Sequence, residues 1–227
     1  MIKRLSALLI LLSCLTAEAL DLKADMNRVR NFLLQSKAVT VNFTLTVDHP
    51  SNTQNQRLSG RIFKYEDTYC TDFNNRLMIN NNKHNLIIDH NQEMIFIRKA
   101  LKEEEIYEES VQASINGFDS ILNSSGFTKQ VEVLGNGRTH YKFMGGKDNY
   151  RMEMWIGPEF IEKIEYDMPD DKGRLSTVTI NYSYKKSVDP AERKSLKINT
   201  YLNLENPQNP VLSTQYSNYG LVNNLIL

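Results

Sequence analysis

Between Leu22 and Asp48 the hydrophobic period changes from helical to strictly alternating. Leu22, Met26, Val29 and Leu33 fall at i, i+4, i+7 and i+11, one apolar stripe on a helix, with Asp21 placed to cap it. Ser36 and Lys37 separate it from a stretch in which Val39, Val41, Phe43, Leu45 and Val47 alternate with Thr40, Asn42, Thr44, Thr46 and Asp48. That pattern predicts a helix running directly into a long strand with one dry face and one wet face.

His49-Pro50-Ser51-Asn52 ends the strand, and a polar loop runs to about Arg57. Short strands are predicted over 58–65, 68–73, 76–79, 85–89 and 93–99, separated by turn formers such as Glu66-Asp67, Asn74-Asn75 and His90-Asn91. Connections this short make antiparallel neighbours. Val111, Ile115, Phe118 and Leu122 then repeat the helical spacing, and Ser125-Gly126 closes that second helix. Strands resume over 128–135, 138–145, 150–157, 160–168, 175–184 and 195–204, with a looser loop at Asp189-Pro190-Ala191-Glu192. No period assigns the tail beyond Asn206-Pro207. The expectation is a mainly β, α+β domain: about eleven antiparallel strands forming a curved sheet that curls or closes, with two helices free to cover it.

The chain opens with Lys3 and Arg4, an apolar run from Leu5 to Leu15 and the small-x-small site Ala17-Glu18-Ala19, the layout of a secretory signal peptide. The apolar run is too short for a spanning helix. Residues 1–19 are therefore expected to be removed, leaving 20–227 as one exported domain. Leu11-Leu12-Ser13-Cys14 also resembles a lipobox, so acylation at Cys14 and a place on the outer membrane is the alternative to release. Intact mass of the exported protein separates the two. Cys70 is the one cysteine left in the mature domain, so no internal disulfide can form.

Lys+Arg and Asp+Glu are equal at 27 each, which gives a nucleic-acid partner no electrostatic footing. No nucleophile elbow, phosphate loop or dinucleotide fingerprint is present. His49, His84, His90 and His140 have no partner at metal-ligand spacing, and no pair of the scattered carboxylates is singled out. No metal, cofactor or enzymatic activity is expected. The residues that stand out are soft and apolar: Met152 and Met154 on one strand face, Met94 and Phe96 on another, with Phe63 and Met78 nearby. Methionine fills gaps in ordinary cores, but a rolled sheet of this size also encloses space for an apolar ligand. The pattern fits both.

Asp21-Leu22-Lys23, the helix with Val29 and Phe32, and the strand at Val41-Asn42-Phe43-Thr44 resemble the opening of the periplasmic lipoprotein carrier family (LolA and its outer-membrane counterpart LolB). Ser59-Gly60-Arg61-Ile62-Phe63-Lys64-Tyr65 resembles the family's second strand. Leu86-Ile87-Ile88-Asp89 followed by Met94-Ile95-Phe96-Ile97 resembles its hairpin. The resemblance implies an incomplete, curved antiparallel barrel with helices as a lid over an apolar cavity. It implies a non-enzymatic, monomeric periplasmic carrier of lipoprotein acyl chains or lipid, served by an inner-membrane loading complex and an outer-membrane acceptor. The cavity wall it implies comprises Phe43, Leu45, Phe63, Met78, Met94, Phe96, Phe118, Met152 and Met154. An envelope protein-binding or structural module with a filled interior is the alternative. Two features depart from the family: Tyr65-Glu66-Asp67 stands where carriers place a lid-latching arginine, and Ile88-Asp89-His90-Asn91 replaces a Ser-Asp-Gly-Lys turn.

Overall fold

The computed structural model describes residues 22–50, 55–100, 127–145, 150–169 and 173–225. The predicted helix around Val111 to Leu122, Phe118 within it, the capping Asp21 and the first 19 residues lie outside them. Helix α1 (Leu22–Gln35) leads into β1 (Ala38–Asp48), then β2 (Gln56–Tyr65), β3 (Thr68–Phe73), β4 (Arg76–Asn80), β5 (His84–Asp89) and β6 (Met94–Lys99). The second run is β7 (Phe127–Gly135), β8 (Arg138–Gly145), β9 (Tyr150–Ile156), β10 (Ile161–Pro169) and β11 (Leu175–Lys185). The C-terminal segment contains α2 (Pro190–Ser195), the short strands β12 (Leu202–Asn203) and β13 (Val211–Leu212), and β14 (Gly220–Asn224).

The fold is one large, curved, open sheet of twelve strands in the order β14-β6-β5-β4-β3-β2-β1-β11-β10-β9-β8-β7. Both meanders are antiparallel, as the short turns require. β1 joins them, pairing with β2 from Ala38↔Tyr65 to Val47↔Gln56 and with β11 from Thr40↔Lys185 to Asp48↔Thr177. One pairing differs from expectation: β14 lies parallel to β6, with Gly220 opposite Met94. A parallel neighbour needs a long crossover, and the preceding segment from Lys186 supplies it. Residues 195–204, expected as a strand, instead finish α2, form a 3₁₀ turn at Ile198–Thr200 and give only the two residues of β12. The expected loop at Asp189–Glu192 is the start of α2. Asp189 caps it, and the Glu192 carboxylate accepts from the Asp189 N–H at 2.7 Å.

Paired residues share a face, so the register assigns every side chain to one of two faces. Val39 and Val41 lie on the face covered by α1, hereafter the helix face. Thr40 lies on the other, the tail face, which the C-terminal segment covers over β2–β6. On the tail face Phe63, Cys70, Leu77, Ile79, Leu86, Ile88, Ile95 and Ile97 pack against Val188, Leu196, Ile198, Tyr201, Leu202 and Tyr216. On the helix face Leu22 and Val29 of α1 pack against Val39, Val41, Tyr141, Phe143, Met152, Met154, Ile156 and Ile164. The molecule thus has two cores on opposite sides of one sheet, at opposite ends of the strand order.

The tail face over β7–β11 stays polar. Arg151 bridges Glu153 at 3.1 Å, Glu165 at 2.8 Å and Asp167 at 3.4 Å, while His140 stacks on Trp155 with ring centroids 4.2 Å apart. Burial works against the charge of Glu165, but the Lys163 and Arg151 partners outweigh it and hold its carboxyl below the usual glutamate range.

The C-terminal segment should therefore be as necessary as the sheet. Leu202 has no exposed surface, and Leu202→Ala is expected to cost about 2–5 kcal/mol in urea denaturation. The same titration should unmask Cys70. Burial pushes that thiol well above the ordinary range, so a thiol reagent should react only as the protein unfolds. Fast labelling of the native protein would show that the segment does not cover β3.

Candidate functional site

Three polar contacts fix α1 to its half of the helix face. The Tyr141 hydroxyl donates to Asp25 at 2.8 Å, and the Arg28 guanidinium donates to the carbonyl oxygens of Gly157, at 2.8 Å, and Pro158. At the other end of the helix, the Lys64 ammonium donates to the carbonyl oxygens of Leu34 at 2.6 Å and Leu33 at 3.2 Å. Those carbonyls lack intrahelical partners and carry the negative end of the helix dipole, so a cation there satisfies both needs. Lys64 is only 7% exposed. It belongs to the dry phase of β2 with Ile62, and a lysine in that phase was the sequence signal for this contact. It stands one residue before the stretch in which the carrier family's latching arginine was sought.

Across β1–β6 and β14 the same face carries a band of half-buried apolar side chains. Phe43 and Leu45 come from β1, Leu58 from β2, Phe73 from β3, Met78 from β4, Ile87 from β5, Met94 and Phe96 from β6 and Val222 from β14. Gly60 shapes its floor: a Cβ there would collide with the Phe43 ring and come within 2.8 Å of Phe73. Phe43 therefore lies over β2, 5.3 Å from the Phe73 ring and 6.3 Å from Tyr182, making an aromatic row across four strands. Burial, with a small contribution from Tyr166, pushes the Tyr182 phenol up to about 12, so it stays neutral. Polar pairs bound the band. Arg76 meets Asp89 at 2.7 Å at one end, and Arg98 donates to Asn85 at 3.0 Å at the other. Burial opposes the charge of Asp89, but Arg76 and the N–H groups of Gln92 and Asn91 hold its carboxyl below the usual range.

Of the cavity-wall residues expected from the sequence, Phe43, Leu45, Met78, Met94 and Phe96 lie together in this band. Met152 and Met154 share the face but are 6% and 1% exposed, packed among the residues under α1. Phe63 pairs with Thr40 and Cys70 and lies on the tail face, buried beneath the C-terminal segment. Phe118 is outside the described residues. Leu58, Phe73, Ile87 and Val222 were missed. Each lies in the same phase as a recognised neighbour, but only the register identifies that phase.

Among the described residues no three His, Cys, Asp or Glu side chains converge as a metal site. His84 and His90 sit at opposite ends of β5, and His90 Nδ1 is 2.9 Å from the Tyr219 hydroxyl.

No family model matches the chain, and no curated protein does. Solved structures similar to it include an uncharacterised conserved protein of Thermus thermophilus, 12% identical over 76% of this chain and 91% of that one, with a TM-score of 0.37. A LolA superfamily protein of Nitrosomonas europaea is 8% identical over 78% of this chain and 98% of that one, with a TM-score of 0.35. A putative outer membrane lipoprotein-sorting protein domain of Vibrio parahaemolyticus is 10% identical over 76% and 97%, with a TM-score of 0.31. Likenesses this slight do not decide what the chain does.

The Lys64 contact predicts a measurable role. Lys64→Met keeps the stem but leaves the Leu33 and Leu34 carbonyls without their cation, and should lower stability by about 1.5–3 kcal/mol. Hydrogen exchange should rise in α1 before it rises in β8–β11. Unchanged exchange in α1 would show that Lys64 does not hold the helix.

Proposed function

We propose that the protein is a non-enzymatic carrier in the bacterial envelope. It holds acyl chains of lipoproteins or lipids against the apolar band and moves them through the periplasm toward the outer membrane. The observation that carries this reading is the half-buried state of the band. Phe43, Met78, Met94 and Phe96 keep accessible surface, while Tyr141, Phe143, Met152 and Met154 in the half under α1 are buried. A contiguous, partly wetted apolar surface beside a packed helix fits a ligand better than it fits finished core. The signal-peptide pattern of residues 1–19 and the resemblance to the lipoprotein carriers support export and cargo class.

Capture in this reading is driven by apolar transfer, at about 0.8 kcal/mol for each buried methylene, so a few methylenes on the band suffice for useful affinity. Loading from an inner-membrane complex and release to an outer-membrane acceptor complete the cycle. Release requires an acceptor that binds the chain more tightly or a displacement of α1 at Lys64. A second reading, a structural or protein-binding module with a filled interior, draws support from Met152 and Met154, which are packed as core.

Uptake of a fluorescent fatty acid by the purified protein separates the two. Met78→Asp and Phe96→Asp should each weaken uptake about tenfold or more, since a charge on the band costs at least about 1.4 kcal/mol of transfer free energy. Thr179→Ala on the polar tail face should leave it unchanged. If the folded protein takes up no probe, or if the aspartate variants bind normally, the band is not a ligand site.

A further inference from the structure

Exposed apolar and basic side chains meet at the end of the sheet where β1 begins and β7 and β11 finish. The β7–β8 hairpin turns there through Gly135, Asn136 and Gly137, at φ of +83°, +52° and +72°. The register slips between Val133 and Gly135, so Leu134 leaves the alternation. Val133 is 62% exposed and Leu134 42%. Both neighbours of Leu134 along the strand are thus free of the core, and the tip projects two apolar groups beyond the packed part of β8.

The segment leaving β11 at the same end carries Lys185, Lys186, Arg193, Lys194 and Lys197. Lys37 precedes β1, Lys83 precedes β5 and Lys99 ends β6, all at this end. Glu159 meets Lys186 at 2.6 Å, Glu162 meets Arg138 at 2.9 Å, Asp189 meets Lys185 at 2.7 Å, and Glu192 is buried beside Thr40. These pairs cancel acids and cations alike, which leaves Arg193, Lys194 and Lys197 as the basic surplus of the segment. Glu132 near the tip lies 3.7 Å from His140, and Glu66 and Asp67 occupy the β2–β3 turn. The opposite end also exposes Met144, Met168 and Leu175, but among the described residues its acidic and basic groups are interspersed.

We infer that this end docks on an anionic lipid surface, with Val133 and Leu134 entering the headgroup layer and Arg193, Lys194 and Lys197 lying on the phosphates. β7 and β11 are separated by four strand spacings, roughly 19 Å, so both elements reach one small patch of headgroups. Two shallow apolar anchors and a basic segment are the paired signals that peripheral membrane binding needs. The inference does not depend on the apolar band, because a filled interior would leave this end unchanged.

Co-sedimentation of the purified protein with vesicles tests it. Retention is expected on equimolar phosphatidylglycerol and phosphatidylcholine, with little on phosphatidylcholine alone, and it should weaken as salt is raised. Each basic side chain near an anionic surface strengthens binding about fivefold, so Lys194→Glu with Lys197→Glu should weaken it about tenfold or more. Leu134→Asp should weaken it comparably, and Met144→Asp at the opposite end should not. Circular dichroism checks that each variant is folded. Equal binding to both vesicle types, no binding to either, or the same loss with Met144→Asp would overturn the inference. So would a dimer that Leu134→Asp converts to monomer, because the tip would then be a contact between two copies of this chain.

Discussion

Three consecutive residues of β1 hold the two cores in relation to each other. Val39 and Val41 enter the core beneath α1, while Thr40 between them is fully buried on the opposite face. The Thr40 hydroxyl shares its single proton between the Ser187 carbonyl, at 2.9 Å, and the Glu192 carboxylate, at 3.2 Å, at the point where the C-terminal segment turns onto the sheet. A strand has a side-chain period of two, so one slipped residue would exchange these faces and leave both covers without a footing. The alternation of β1 and its register with β2 and β11 therefore carry the rest of the architecture.

That division explains the unequal burial of the helix face. Helix α1 is 14 residues long, about 21 Å, and so covers part of a twelve-stranded sheet and not all of it. Arg28, Asp25 and Lys64 fix it over β8–β11, β1 and the edge of β2. The apolar side chains of β3–β6 on that face are left only half-buried. The opposite face of those strands is sealed by the C-terminal segment, whose last strand also occupies the outer edge of β6. Edge protection and core closure are thus supplied by one stretch of chain.

Much of this was legible in the sequence where strands alternate cleanly. β1 and β7–β11 show one dry and one wet phase, and the hairpin residues between them give the antiparallel order. In β4–β6 both phases are apolar: Leu77-Met78-Ile79, Leu86-Ile87-Ile88 and Ile95-Phe96-Ile97. Such runs mark a strand covered on both sides, and they do not say which cover is core and which is open. Phe63 and Phe96 therefore looked alike in sequence, and pairing alone separates them onto opposite faces. The C-terminal segment was illegible for another reason. Its apolar residues Val188, Leu196, Ile198, Leu202 and Tyr216 follow no helical or strand period, because they dock individually on a surface made elsewhere. Lys64 was overlooked because an arginine was expected and because its partners are backbone carbonyls of a helix 30 residues earlier in sequence.

In the proposed function an acyl chain lies on the half-buried band and not on the packed half beneath α1. Methionine methyl groups report on both halves, since Met78 and Met94 belong to the band while Met152 and Met154 belong to the core. Methyl NMR of protein carrying isotope-labelled methionine, titrated with a long-chain fatty acid, distinguishes the two halves. The Met78 and Met94 resonances are expected to move and saturate together while those of Met152 and Met154 stay in place. Movement of Met152 and Met154 without Met78 and Met94, or no movement at all, would contradict it.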